Sequence, residues 1–174
     1  VRKVMDRAPD LILSGVNSGQ NAADDVTYSG TVAGAIEGTL LGIPSIALSQ
    51  AYDFTDGRRI IPWETVEAHA PRILKKLVAH GCPRGVLYNL NFPNTAPGLV
   101  AGVEVTSQGV VTHGLSVDER HDGRGNPYFW LKHHRVSEEH AAGTDVHAIR
   151  RGVISITPLR IDMTAYDQAH ELNA

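Results

Sequence analysis

The sequence predicts a three-layer α/β protein built on a mostly parallel sheet, and three observations predict it. An apolar run, Leu11–Ile12–Leu13, is followed by a loop rich in glycine, asparagine and serine, then by a helical pattern opening at Tyr28–Ser29–Gly30–Thr31. Ser45 to Gln50 (SIALSQ) reads as the next buried strand and completes a β–loop–α–β unit, whose crossover should be right-handed. An amphipathic stretch from Trp63 to His80 leads into the alternating segment VLYNLNF at 86–92. Apolar strands joined through helices are the pattern of a sheet covered on both faces.

Taken in order, residues 2–8 read as the end of a helix closed by Pro9. Residues 10–14 are expected to be a buried strand and 29–41 a helix, with Gly42 as its C-terminal cap and Pro44 barring continuation. Gly30, Gly34 and Gly38 recur every four residues and so share one face, beside a stripe of Val32, Ile36 and Leu40. Each glycine costs a helix about 1 kcal/mol relative to alanine. That face is therefore expected to lie unusually close to the sheet or to a neighbouring subunit. The segment is too short and polar to span a membrane.

Residues 51–62 read as a loop. Its Tyr52 and Phe54 either stack a nucleobase or seal the core edge, and Arg58 and Arg59 either meet a phosphate or stay solvated. In 63–80 a stripe of Val66, Ala70, Ile73, Leu74, Leu77 and Val78 marks the buried side, and Pro71 is expected to kink or divide the helix. Strand 86–92 places Asn89 and Asn91 on one face, where a structural role is expected. From Ala101 the character changes. GVEVTSQG is a short strand, and DGRGNPYFWL at 122–131 is a hairpin turn running into an aromatic strand. Rings this numerous need burial, and a second subunit would supply it. Thr144 to Arg151 reads as a short helix, 153–159 as a strand that Pro158 ends at an edge, and the tail from Asp162 as a final helix or exchanged arm.

The 174 residues suit one domain, with 42% hydrophobic and 20% charged residues. A net charge of −3 excludes global attraction to a nucleic-acid polymer or an anionic membrane, though not a local nucleotide site. The single cysteine, Cys82, cannot form an internal disulfide, which favours a cytoplasmic setting, as does the lack of a signal peptide pattern. The nine histidines lack zinc spacing, and neither a Walker A sequence nor a G-x-S-x-G elbow is present.

The loop after Leu13 has two uses. Asn17 can present a carbonyl oxygen to a hard cation, or support a tight turn. Ser29, Gly30 and Thr31 can cradle a phosphate with hydroxyls and unpaired helix-start N–H groups, or Ser29 can serve simply as an N-cap. Asp24–Asp25 can ligate metal or complement the helix dipole.

GVNSGQN followed by DVTYSGTVAGAIEGTLLGIPSIALS closely resembles the SurE family of 5′(3′)-nucleotidases. NLNFP at 89–93, VTSQG at 105–109, DGRGNPYFWL at 122–131 and GTDVHAIRRGVISITPLRID at 143–162 extend the likeness over nearly the whole chain. The resemblance implies a three-layer, Rossmann-like (SurE-like) fold with a C-terminal hairpin and arm used for oligomerisation. It further implies a divalent ion, Mg²⁺ or Mn²⁺, with Asn17 as one ligand, and phosphate binding by Asn21, Ser29, Gly30 and Thr31. The family's paired aspartates and a serine ligand belong to an N-terminal βα region that would precede Val1, so the catalytic residues are expected outside this chain, which reads as a fragment. The expected organisation is one SurE-like domain, 1–174, with an α/β core at 1–100, a hairpin-rich oligomerisation region at 101–142 and a C-terminal strand and arm at 143–174. The expected activity is hydrolysis of nucleoside monophosphates by a cytoplasmic dimer or tetramer with no membrane and no nucleic-acid polymer as partner. Two alternatives stand beside it: a non-catalytic nucleotide- or phosphate-binding domain, and an assembly module.

Overall fold

The computed structural model describes residues 1, 3–111, 113–135 and 140–172. Its centre is a five-stranded sheet of order β1-β2-β5-β9-β6, formed by β1 (Ile12–Ser18), β2 (Ser45–Gln50), β5 (Val86–Phe92), β6 (Gly102–Val105) and β9 (Val153–Arg160). β1, β2 and β5 run parallel, β9 is antiparallel to β5, and β6 is parallel to β9. Two small antiparallel ribbons stand outside it: β3 (Asp53–Thr55) with β4 (Arg58–Ile60), and β7 (His113–His121) with β8 (Pro127–Arg135).

Alternation along the central strands sorts the core into layers. Ile46, Leu48, Tyr88, Leu90, Phe92, Ile154 and Ile156 pack with Val66, Ala70 and Ile73 of α2 (Trp63–His80). On the opposite face Ala47 and Leu87 meet Val32 and Ala35 of α1 (Gly30–Leu40). On that face β9 also contacts α3 (Asp145–Arg150). A short helix, α4 (Tyr166–Glu171), ends the described chain with no buried residue.

The glycine face of α1 has a direct cause. A Cβ on Gly34 would come within 2.6 Å of Ser14 Oγ, and one on Gly38 would strike Ser45 Oγ and lie 2.6 Å from Ile12 Cδ1. Those two glycines therefore let the helix lie against the sheet. Gly30 meets nothing within 4 Å. Val32 is fully buried as expected, but Leu40 is exposed; the covered side of the helix runs through Ala35, Gly38 and Thr39.

Several expectations need correction. β1 is an edge strand among the described residues, so Leu13 is 48% exposed rather than buried. Residues 3–8 form bends, not a helix, with Val4 and Met5 exposed; so short a segment has no packed face to stabilise helical turns. Residues 51–62 are not all loop, since β3 and β4 pair through a turn at Asp56–Gly57, both at positive φ. Pro71 does not divide α2, which is one helix from Trp63 to His80. β9 runs through Pro158 to Arg160 in the sheet interior. Pro158 is tolerated there because β6 pairs only as far as Ile156. Ile161 N–H points to Gly85 beside β5, so by alternation the missing N–H of Pro158 faces the side β6 has left.

Candidate functional site

Asn17 belongs to β1, not to a loop. The pairing with β2 shifts register between Ser14 and Asn17, where Gly15 takes φ +125°, and then resumes as Asn17↔Ser49 and Ser18↔Gln50. A bulge of this kind re-aims the residues after it. The Asn17 side-chain N–H donates to the Gly19 carbonyl at 2.8 Å, so the amide nitrogen is occupied and Oδ1 is the end left for another group.

Helix α1 packs along β1. Gly38 lies against Ile12 and Gly34 against Ser14, so the helix runs back along the strand with four helical residues for every two strand residues. Four helical residues rise about 6 Å and two strand residues about 6.6 Å. At the start of the helix a Cβ on Gly30 would touch nothing within 4 Å. Ser29 caps the helix: its Oγ accepts Val32 N–H at 3.0 Å and its carbonyl accepts Ala33 N–H at 2.9 Å. The hydroxyl proton of Ser29 and the first-turn N–H groups of Gly30 and Thr31 are donors that a helix leaves for an acceptor outside itself. The N-cap and phosphate-cradle readings of Ser29 are thus compatible.

Asn21 is placed differently. It is only 8% exposed, and its side-chain N–H donates to Ser49 Oγ at 2.7 Å. Its backbone N–H donates to Asn91 Oδ1 at 2.8 Å, while its carbonyl accepts from Asn89 (2.7 Å) and Asn91 (3.0 Å). An irregular segment buried on a sheet must find partners for its backbone, and here side chains of β5 supply them. This explains why Ser49, Asn89 and Asn91 are fully buried polar residues on the α1 face, while Ser155 and Thr157 on the same face bond Thr106. Asn89 and Asn91 have the structural role expected of them.

The segment continues as a 3-10 turn, Ala23–Tyr28, that the sequence did not announce. Ala23, at φ +53°, donates its N–H to Asp145 Oδ2 at 2.9 Å and accepts from Gln108 at 3.0 Å. Asp24 Oδ2 accepts Val111 N–H at 2.9 Å, which occupies one oxygen of the Asp24–Asp25 pair. Both acids lie in the first turn of that 3-10 segment rather than of α1. Among the described residues no group of three or more His, Cys, Asp or Glu is placed to hold a metal ion.

The β3–β4 ribbon meets the end of β1 through Arg59 and Ser18. A point one bond beyond Gly19 Cα lies 3.0 Å from Tyr52 Cε1 and 3.8 Å from the Asn17 amide nitrogen. The Tyr52 and Phe54 rings meet edge to face at 5.4 Å, and the Arg59 guanidinium lies 4.2 Å over Tyr52 while donating to Ser18 Oγ at 3.2 Å. Arg59 is therefore engaged by a ring and a hydroxyl, whereas Arg58 is exposed. Phe54 is 59% exposed and does not seal a core. A cavity of about 460 Å³ lined by Ile43, Pro44, Cys82 and Arg84 lies at the opposite end of the sheet, where β2 and β5 begin.

Known proteins of similar sequence and fold belong to one family. The family model "Survival protein SurE" matches residues 1–114. The 5'-nucleotidase SurE of Brucella canis is 60% identical over all 174 residues, and that of Brucella suis (strain ATCC 23445 / NCTC 10510) is 59% identical. The crystal structure of the SurE protein from Aquifex aeolicus superposes with a TM-score of 0.80 at 38% identity, covering 97% of this chain and 66% of that one. The chain spans about two thirds of the length of these relatives, 68% of the Brucella proteins. The chain belongs to the SurE family.

Proposed function

We propose that the complete protein is a nucleotidase, a phosphoric monoester hydrolase that converts nucleoside monophosphates to nucleoside and phosphate, and that this chain supplies its phosphate-binding turn and one metal ligand. The observation that carries the reading is that α1, whose first turn opens at the Ser29 cap with free space at Gly30, packs along β1, the strand that carries Asn17. Relatives named as 5'-nucleotidases at 60% identity support the same class of chemistry.

Membership of the SurE family implies a divalent metal in general. Asn17 fits one position of such a site, because its Oδ1 is a hard neutral oxygen of the kind Mg²⁺ and Mn²⁺ accept. No carboxylate cluster among the described residues accompanies it. When bound, the ion would offset negative charge on the phosphoryl oxygens. The chain's own part is anion binding: Ser29 Oγ–H and the Gly30 and Thr31 N–H groups donate to phosphoryl oxygens, aided by the positive end of α1. Asn21 serves the same group by fixing the loop between the two halves of the site. The Tyr52–Phe54 ring pair, with Tyr52 close to Gly19, would serve as a platform for the nucleobase. The exposed rings of β8 (Tyr128, Phe129 and Trp130) suit association with a second copy into a dimer or tetramer.

The test is hydrolysis of AMP by the complete protein with Mg²⁺ or Mn²⁺. Asn17→Ala should reduce metal-dependent turnover severely, and undiminished activity rejects the assignment. Tyr52→Ala and Phe54→Ala should raise KM for nucleotides without affecting a phosphomonoester that lacks a base.

A further inference from the structure

One fully buried carboxylate ties the site loop to two distant segments. Asp145 opens α3, and its oxygens accept three backbone N–H groups: Ala23 at 2.9 Å, Gly109 at 2.9 Å and Val146 at 2.8 Å. The donors belong to the site loop, to the residues leading into β7, and to α3 itself. A buried carboxylate is costly unless several N–H groups serve it, and here three do. The bond to Val146 lies within α3 itself. The other two reach 122 and 36 residues along the chain.

The same leading residues grip the loop twice more. Gln108 Nε2 donates to the Ala23 carbonyl at 3.0 Å, and Val111 N–H donates to Asp24 Oδ2 at 2.9 Å. Both peptide groups of Ala23 are thus bonded outside its own segment. Ala23 is fully buried in a left-handed conformation, a state that non-glycine residues keep only where their surroundings over-determine it. Packing leaves little slack: a Cβ on Gly109 would lie 2.7 Å from Val146 Cγ2 and 3.0 Å from Asp145 Oδ1. From Ala23 the chain runs through one six-residue 3-10 segment directly into the Ser29 cap.

We propose that Asp145 is a positioning residue for the anion-binding turn at Ser29–Thr31, acting through Ala23, with Gln108 as the second half of the same clamp. The proposal rests on the reading of that turn as the phosphate site. It makes the geometry of that site depend on the root of the β7–β8 ribbon, so the two segments share one carboxylate.

The test uses Asp145→Asn and Gln108→Ala in the complete protein, assayed at a temperature where circular dichroism shows each variant folded. In Asp145→Asn an amide group faces an N–H where an acceptor stood. KM for a nucleoside monophosphate and the inhibition constant of inorganic phosphate should each rise about tenfold, while kcat changes far less. Gln108→Ala should raise both about threefold, and the double variant should fall short of the product, because both partners hold Ala23. Amide hydrogen exchange of the ligand-free protein gives a readout independent of activity: residues 20–32 should exchange about tenfold faster in Asp145→Asn, with α2 unaffected. Lowered melting temperatures with unchanged phosphate inhibition and unchanged exchange at 20–32 would overturn the proposal. If the parent protein hydrolyses no nucleotide, the nucleotidase reading fails, and the exchange result alone decides this one.

Discussion

Residues 19–28 and residues 113–135 are both connections that leave the central sheet, and they are held in opposite ways. The ribbon 113–135 is regular, with nine paired positions closed by the Asp122 turn, yet Val117, Phe129, Trp130 and Leu131 are all more than half exposed. The loop 19–28 has one short 3-10 segment and no ladder, yet Asn21, Ala22 and Ala23 are buried, and Asn21 and Ala23 are bonded to side chains from β2, β5, residue 108 and α3. Regular hydrogen bonding is therefore a poor guide to what is held in place. The ribbon is ordered within itself, whereas the loop is ordered by everything around it, which is what a preformed anion site requires.

The largest expected effect breaks this contrast at Asn91. Asn91→Ala removes two hydrogen bonds from the Asn21 peptide inside a fully buried layer and should destabilise the protein by roughly 3 kcal/mol. By contrast Phe129→Ala, in the ribbon, should change monomer stability by less than about 0.5 kcal/mol and be felt instead in association. Denaturant unfolding checks both, with sedimentation for the second. Next come the helix glycines. Gly38→Ala forces a methyl into Ser45 and Ile12 and should cost about 1–3 kcal/mol. Gly30→Ala meets open space and should leave stability unchanged or raise it by up to about 1 kcal/mol, while weakening phosphate inhibition. Ser29→Ala should cost about 1 kcal/mol through loss of the Val32 cap, and Ser29→Gly only a few tenths.

The smallest effect concerns the tail. Bonds from Thr164 and Tyr166, chiefly the former, hold the Asp162 carboxyl down at about 2 from its ordinary 3.8. A depressed carboxylate contributes stability that is complete above its unfolded value and is lost as pH falls through the folded one. The entry to α4 should therefore loosen only between about pH 4 and pH 2, followed through the Tyr166 resonances, and Asp162→Asn should abolish that dependence.

Much of this was legible in the sequence for local reasons. Ser29, Gly42 and Pro44 bracket α1, SIALSQ and VLYNLNF give β2 and β5 with their bounds, and Asp122 to Gly125 marks the ribbon turn. What stayed hidden depends on pairing between distant residues. The register shift that carries Asn17 back into β1 is visible only against β2. The open edge at Pro158 follows from where β6 stops. Asp145 reads along the chain as a helix-start acid, and nothing local joins it to Ala23. One signal was available. Inward positions of a buried strand that carry Asn89 and Asn91 announce that polar backbone lies on that face.

The central claim is that Asn17 and the first turn of α1 serve one anion through one site. Amide spectra of the complete protein, titrated with inorganic phosphate and then with Mn²⁺, test it most directly. The account predicts that Gly30 and Thr31 shift with phosphate, are broadened by Mn²⁺, and escape broadening in Asn17→Ala. Resonances that ignore phosphate, or that Mn²⁺ broadens equally without the Asn17 amide, would contradict it.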